Sequence, residues 1–193
     1  EVVRFSDKQV NLQVVKQVNY QWANVNGKYQ PTQTVNNINW NGTDFGDTID
    51  ATATAYQDNV QGGAGNDLIK TGAGKDDIWG NGGDDTIDGG ANGTSGSSWQ
   101  DWDVAHYEAS QKRFVITQSG NSFIVKDKLD PTLGGFGTDV LTNIERIQFS
   151  DATVNLVVEF NPNAWSNNIN GTSFDDVIDS DALTAKAMAD AKA

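Results

Sequence analysis

The chain has 193 residues, 26 Asp and Glu against 13 Lys and Arg, and a formal net charge of -13. That length can bury a sizeable core, and the acidic balance excludes a uniform grip on nucleic acid, which needs clustered Lys and Arg. No cysteine and a single histidine, His106, exclude disulfides, thiolate zinc, Cys catalysis and an HExxH zinc site, and no apolar run reaches the roughly 18 residues of a membrane span.

The opening, EVVRFSDK, carries neither an initiator Met nor a signal-peptide pattern and reads as an internal stretch of a longer chain. From residue 41 to residue 103 the composition changes. Twelve acidic side chains, all Asp, face only Lys70 and Lys75, and 14 of the 20 glycines fall here. Short carboxylates among glycines repel one another, so the stretch is either a solvated disordered linker or a site for hard cations that supply the missing positive charge.

Spacing decides between these. Residues 62–70 read GGAGNDLIK, 71–79 TGAGKDDIW and 80–88 GNGGDDTID. In register, the sixth position is Asp67, Asp76 and Asp85, the eighth is Ile69, Ile78 and Ile87, and the fourth is Gly65, Gly74 and Gly83. A linker has no reason to keep Asp and Ile in step. Upstream, residues 42–50 keep Asp47 and Ile49 at the same positions, and residues 53–61 keep Asp58 and Val60 after a two-residue slip. Downstream, Gly89 and Gly90 open another repeat whose closing Asp103 arrives about eight residues late for the nine-residue period. The overlong loop holds Ser97, Ser98, Trp99, Gln100, Asp101 and Trp102.

The period resembles the RTX nonapeptide GGxGxDxUx, a calcium-binding β-helix repeat. Glycine-rich halves turn carbonyls inward and each xUx triplet forms a short strand with one apolar side chain inside. A hard cation wants about six to eight oxygens, more than one loop offers, so calcium staples two stacked loops. The resemblance implies that consecutive strands alternate between two sheets. Asp47, Asp67 and Asp85 then stack on one side and Asp58, Asp76 and Asp103 on the other, with Asp50, Asp88 and Asp101 as secondary ligands. The pairing and the ligand demand together predict about four to six Ca2+ ions.

Around this core of residues 42–103, the flanks 1–41 and 104–180 are predicted to be antiparallel β, and the whole chain one module. Residues 113–118 and 122–127 alternate about a Ser119-Gly120-Asn121 turn, residues 139–149 and 153–160 look like further strands, and the Ala-rich tail 181–193 is a short helix that Asp181 would cap. The flanks also repeat each other. Residues 1–14 match residues 145–158 at eight of fourteen positions, and residues 42–50 match 171–179 at six of nine. The chain thus runs from the tail of one unit through a full unit into the next.

Residues 143–151, NIERIQFSD, resemble the closing strands of modules in large RTX adhesins exported by type I secretion, and the whole chain is similar to the peptide-binding domain of those adhesins. That resemblance implies a monomeric, non-enzymatic module on a bacterial surface, outside the cell. It would recognise the C-terminal carboxylate of peptides or proteins on another cell through a calcium ion. Ser97, Ser98, Trp99, Gln100, Asp101, Trp102, Tyr107 and Phe136 would form the ligand groove. Two other readings use the same residues: a roll that serves folding and secretion alone, and a calcium-dependent site for glycans. No GxSxG elbow and no P-loop occurs, and His106 reads as a structural strand residue.

Overall fold

The computed structural model describes residues 2–4, 9–11, 14–91, 102–157, 159–162 and 167–170. An apolar side chain flanked by polar ones can be buried alone only where the chain is extended, so each xUx triplet becomes a strand. In chain order the strands are β1 Val2–Arg4, β2 Gln9–Asn11, β3 Val15–Val25, β4 Lys28–Asn41, β5 Thr48–Asp50, β6 Asp58–Ala64, β7 Leu68–Lys70, β8 Asp77–Gly82 and β9 Thr86–Asp88. They continue as β10 Val104–Tyr107, β11 Phe114–Ser119, β12 Ser122–Asp127, β13 Thr138–Thr142, β14 Arg146–Phe149, β15 Thr153–Asn155, β16 Glu159–Pro162 and β17 Asn167–Asn170. Two three-residue 3-10 turns, Gln111–Arg113 and Pro131–Leu133, are the helical elements among the described residues. The expected helix over 181–193 lies outside them.

One sheet has the order β3-β4-β6-β8-β10-β14-β15 and the other β5-β7-β9-β13-β12-β11. From β4 to β10 the chain changes sheet at every rung and pairs parallel with the strand two before it, which makes a β-roll. The eighth-position residues form two facing columns. Ile49, Ile69, Ile87 and Leu141 are in register in one sheet, and Val60, Ile78, Ala105 and Ile147 in the other, all essentially excluded from solvent.

The C-terminal flank departs from the expectation of antiparallel strands. Residues 139–149 are two strands in different sheets, with β13 parallel to β9 and β14 parallel to β10. The roll therefore extends beyond residue 103 to Phe149. It accommodates the β11–β12 hairpin as an excursion between β10 and β13, with β12 antiparallel to both neighbours. Ser119 pairs with Ser122, so the turn of that hairpin is the two residues Gly120 and Asn121 rather than the expected three, and Gly120 at φ 61 permits it. An aromatic cluster seals this region: Tyr107 packs 5.0 Å from Phe114, 5.7 Å from Phe136 and 5.6 Å from Phe149.

At the opposite edge, β3 and β4 form a long hairpin around Asn26 and Gly27, both with positive φ, as a type I′ turn requires. Only residues 38–41 of β4 pair with β6, so the distal part of the hairpin is a two-stranded ribbon that leaves the sheet.

Candidate metal centre

Stacking brings the sixth-position residues into two ladders. In the first, the Asp47 backbone N–H donates to Asp67 Oδ1 at 2.8 Å, Asp67 N–H to Asp85 Oδ1 at 2.9 Å, and Asp85 N–H to Asp139 Oδ1 at 2.9 Å. In the second, Asp58 N–H donates to Asp76 Oδ1 at 2.8 Å, Asp76 N–H to Asp103 Oδ1 at 2.8 Å, and Asp103 N–H to Glu145 Oε2 at 2.9 Å. The spacing places Asp47, Asp67 and Asp85 together, and Asp58, Asp76 and Asp103 together, and the fold adds one acid to each ladder.

The ends of the ladders differ from their middles. Asp47 Oδ2 accepts from Thr43 N–H at 2.7 Å and from the Thr43 hydroxyl at 2.9 Å. Asp58 accepts from Trp40 Nε1–H at 3.0 Å and from the Thr54 hydroxyl, and Asp139 Oδ2 accepts from the Tyr107 hydroxyl at 2.7 Å. In the interior, the Oδ2 atoms of Asp67, Asp76 and Asp85 are buried with no hydrogen bond of good geometry. A buried carboxylate oxygen left so costs several kcal/mol unless a cation answers it, by the roughly 3–5 kcal/mol scale of broken buried pairs.

Beside the Oδ2 atoms of Asp67, Asp85 and Asp103 the chain leaves room only for a glycine. A Cβ added at Gly62 would stand 2.4 Å from Asp67 Oδ2 and 2.7 Å from the Gly80 carbonyl oxygen. At Gly80 it would stand 2.2 Å from Asp85 Oδ2, and at Gly89 2.8 Å from Asp103 Oδ2 and 2.2 Å from the Asn143 carbonyl oxygen. Among the described residues no three acidic or imidazole side chains form a metal cluster. The donor set is instead carboxylate plus backbone carbonyl, the all-oxygen shell that suits calcium. Asp67 and Asp85 on one side, and Asp76 and Asp103 on the other, would hold the ions.

Burial dominates the electrostatics. It pushes Asp67 up to about 7 and Asp76 and Asp85 up to about 6, against 3.8 for an ordinary Asp. The Asp47 N–H offsets part of the effect at Asp67, and the Asp58 N–H followed by the Thr71 hydroxyl does so at Asp76. Asp139 is pushed up to about 8 by burial first, with the Asp85 charge adding to it. Without a cation these carboxylates keep a proton to higher pH than an ordinary Asp does.

The secondary ligands do not join the ladders. Asp50 is exposed and accepts from Thr52 N–H at 3.0 Å and from its hydroxyl at 2.6 Å, which lowers its pKa. Asp88 accepts from Gly90 N–H at 3.1 Å and Asn143 Nδ2–H at 2.7 Å. Both cap turns, because the residue after the eighth position points away from the interior of the roll. Ser97, Ser98, Trp99, Gln100 and Asp101 lie outside the described residues.

Two expected groove walls turn out to be core. Trp102 is 4% exposed, beneath the Arg146 guanidinium at 4.8 Å, and Tyr107 is 4% exposed with its hydroxyl committed to Asp139. Phe136 keeps a partly open ring and lines a cavity of about 470 Å³ with Ala64, Gly65, Asn81, Gly82 and Gly83, and with Pro131, Gly134 and Gly135 across from them.

Asp139 and Glu145 escaped the sequence reading, although a signal existed. Residues 134–142 read GGFGTDVLT, a full nonapeptide with Asp139 sixth and Leu141 eighth, and Glu145 and Ile147 keep the same two-residue offset. Gly137, the fourth residue, has φ 86, and its Cβ would stand 2.2 Å from the Gly83 carbonyl oxygen, so its turn stacks on the earlier ones. The inserted hairpin hid this rung by breaking the period.

Comparison with known proteins agrees with the geometry. The family model of the RTX calcium-binding nonapeptide repeat (4 copies) matches residues 52–87. Such repeats bind calcium and occur in secreted proteins, so this chain is a calcium-binding module. No curated protein matches it significantly. Among solved structures it is similar to the extracellular lipase LipA from Serratia marcescens, at 19% identity and a TM-score of 0.25, over 60% of this chain and 18% of the lipase. The chain thus spans less than a fifth of that lipase, and so slight a likeness bears on no activity. Among the described residues no helix is long and apolar enough to cross a membrane.

Proposed function

We propose that the chain is a calcium-ordered recognition module of a large bacterial surface adhesin, and that it binds the free C-terminal end of peptides or proteins on another cell. The observation that carries this reading is the cavity laid against the glycine loops that precede Asp67, Asp85 and Asp139. A terminal carboxylate entering it approaches the row of cations and adds anionic oxygens to a hard-cation shell. An internal peptide bond brings only a neutral carbonyl. Phe136 and Pro131 supply the apolar wall for the side chains next to the chain end. The role is non-enzymatic, monomeric and extracellular.

A peptide library in free-acid and C-amidated forms, titrated against calcium-loaded protein, tests the reading. Free acids should bind, and amidation should abolish binding. Equal binding of both forms, or displacement of the peptide by glycans at the calcium row, overturns it. One observation favours the folding-only reading: Glu145 accepts from the Asp103 N–H at 2.9 Å, so the ladder continues past the overlong loop instead of ending there. If no peptide binds and Phe136→Ala is silent, that reading stands.

A further inference from the structure

The internal repetition sets the β3–β4 ribbon against a shorter version of itself. Residues 10–14, VNLQV, match residues 154–158, VNLVV, and residues 36–39 match residues 167–170, both reading NNIN. Between these landmarks lie 21 residues in the first copy, 15–35, and eight in the second, 159–166. Both copies make an antiparallel hairpin here. In the second it consists of β16 and β17, with four residues in each strand, and in the first of β3 and β4, with 11 and 14 residues. A short hairpin therefore suffices to join two units, and the first copy carries an extension beyond that need.

What the extension displays is unlike the rest of the protein. Trp22 is 59% exposed and Tyr29 73%, with Tyr20 and Val25 also open to solvent. Trp22 stands opposite Pro31 and Asn24 opposite Tyr29, so these four side chains share one face of the ribbon. The Trp22 and Tyr29 rings lie parallel within 8° at a centroid distance of 6.3 Å. Residues 14–41 contain no Asp or Glu at all, in a chain with 26 of them, and their polar side chains are amides, hydroxyls and two lysines. Lys16 lies over the Trp40 ring, at 4.6 Å. An elongation that served packing would bury its aromatic rings, and this one presents them.

From this we infer that the distal β3–β4 ribbon is a glycan-binding face for neutral saccharides, separate from the calcium row. The parallel rings of Trp22 and Tyr29 match the flat C–H faces of pyranose rings, which stack on aromatic surfaces. Amides donate and accept at once, as sugar hydroxyls do, and Asn24 lies on the same face. A partner held by charge would instead call for clustered ionic groups, and the face has none. The calcium roll serves only as the base on which the ribbon stands.

The test is an array of neutral oligosaccharides (glucans, mannans and galactans) probed with calcium-loaded protein, each variant read below its melting temperature. At least one neutral oligosaccharide should bind, and a free-acid peptide should not displace it. Trp22→Leu, which keeps an apolar side chain but no ring, should weaken binding at least about tenfold, whereas Trp22→Phe should stay within about threefold. Lys28→Ala, opposite Val25 on the other face, should bind as the parent does. Failure of every neutral oligosaccharide, or full binding by Trp22→Leu, overturns the proposal. Capture of phosphatidylcholine vesicles without any sugar binding overturns it in favour of a lipid surface.

Discussion

The calcium roll and the β3–β4 ribbon solve opposite problems with the same secondary structure. In the roll, Asp58, Asp67, Asp76 and Asp85 are at most 3% exposed, and residues 41–103 carry twelve carboxylates against two lysines. In the ribbon no carboxylate occurs, and Trp22 and Tyr29 stand in solvent. One region hides charge and the other shows apolar rings. The roll can do this because a cation belongs to its structure, since the buried Oδ2 atoms of Asp67 and Asp85 have no hydrogen-bond donor of good geometry. The ribbon needs no ion because its order comes from a type I′ turn and cross-strand pairs. Inverting the usual placement of residues in this way marks both regions as sites for something beyond the chain itself.

Removing calcium should separate the roll from the ribbon most clearly. EDTA should lower the melting temperature more than any single substitution does and weaken the strand signal in circular dichroism, because folding free energy in such sites is metal-binding free energy. An unchanged melt in EDTA contradicts the roll's dependence on the ion. Next comes Asp85→Ala, which removes an interior rung and should cost roughly 3–5 kcal/mol in calcium, the scale for breaking one partner of a buried ionic pair. Asp50→Ala, at a turn outside the ladders, should leave the melt unchanged. Equal effects of the two would mean that the ladder interior has no special role.

The response to pH sharpens the contrast further. Burial holds Asp67 up to about 7, Asp85 to about 6 and Asp139 to about 8, whereas an unfolded Asp ionises near 3.8. In the calcium-free protein the fold therefore keeps protons that the unfolded chain has released. Their stabilising contribution is complete below the unfolded value and is lost as pH rises through about 6 to 8. Melts in EDTA should be higher at pH 5 than at pH 8. In calcium the order should reverse, because protons compete for the same oxygens. A calcium-free melt independent of pH contradicts the burial of these carboxylates.

Two smaller effects complete the series. Gly80→Ala places a methyl 2.2 Å from Asp85 Oδ2 and should weaken calcium binding while costing about 1–3 kcal/mol, measured by calcium titration and denaturant unfolding. Trp22→Ala removes one cross-strand aromatic partner and should cost less than about 1 kcal/mol, with the roll's calcium affinity unaltered. A larger loss would tie the ribbon to the core and dissolve the distinction between the two regions.

Much of the roll was legible from residues 42–88 because a nine-residue period constrains both faces of each rung at once. An Asp at the sixth position and an Ile at the eighth can keep step only if strands stack in register, so the pairing of Asp47 with Asp67 and of Asp58 with Asp76 followed from counting. The hairpin about Gly120 was legible for a local reason, since a turn needs only its own residues. Asp139 and Glu145 were not read, because their rungs lie 54 and 42 residues from the partners that donate to them. Nor did composition distinguish Trp102 and Tyr107 in the interior from Trp22 and Tyr29 outside, since an aromatic residue satisfies either environment when its neighbours allow.

By itself, then, the sequence determined the repeat, its cation chemistry and the two-sided alternation, all consequences of spacing along a short stretch of chain. The tertiary structure alone decided where the ladders end and which oxygens are left over. Thr43, Trp40, Thr54 and Tyr107 donate to the terminal carboxylates and leave the interior oxygens to the ions. The physical reason is that hydrogen-bond satisfaction depends on which distant groups packing brings within about 3 Å, and spacing along the chain carries no record of that.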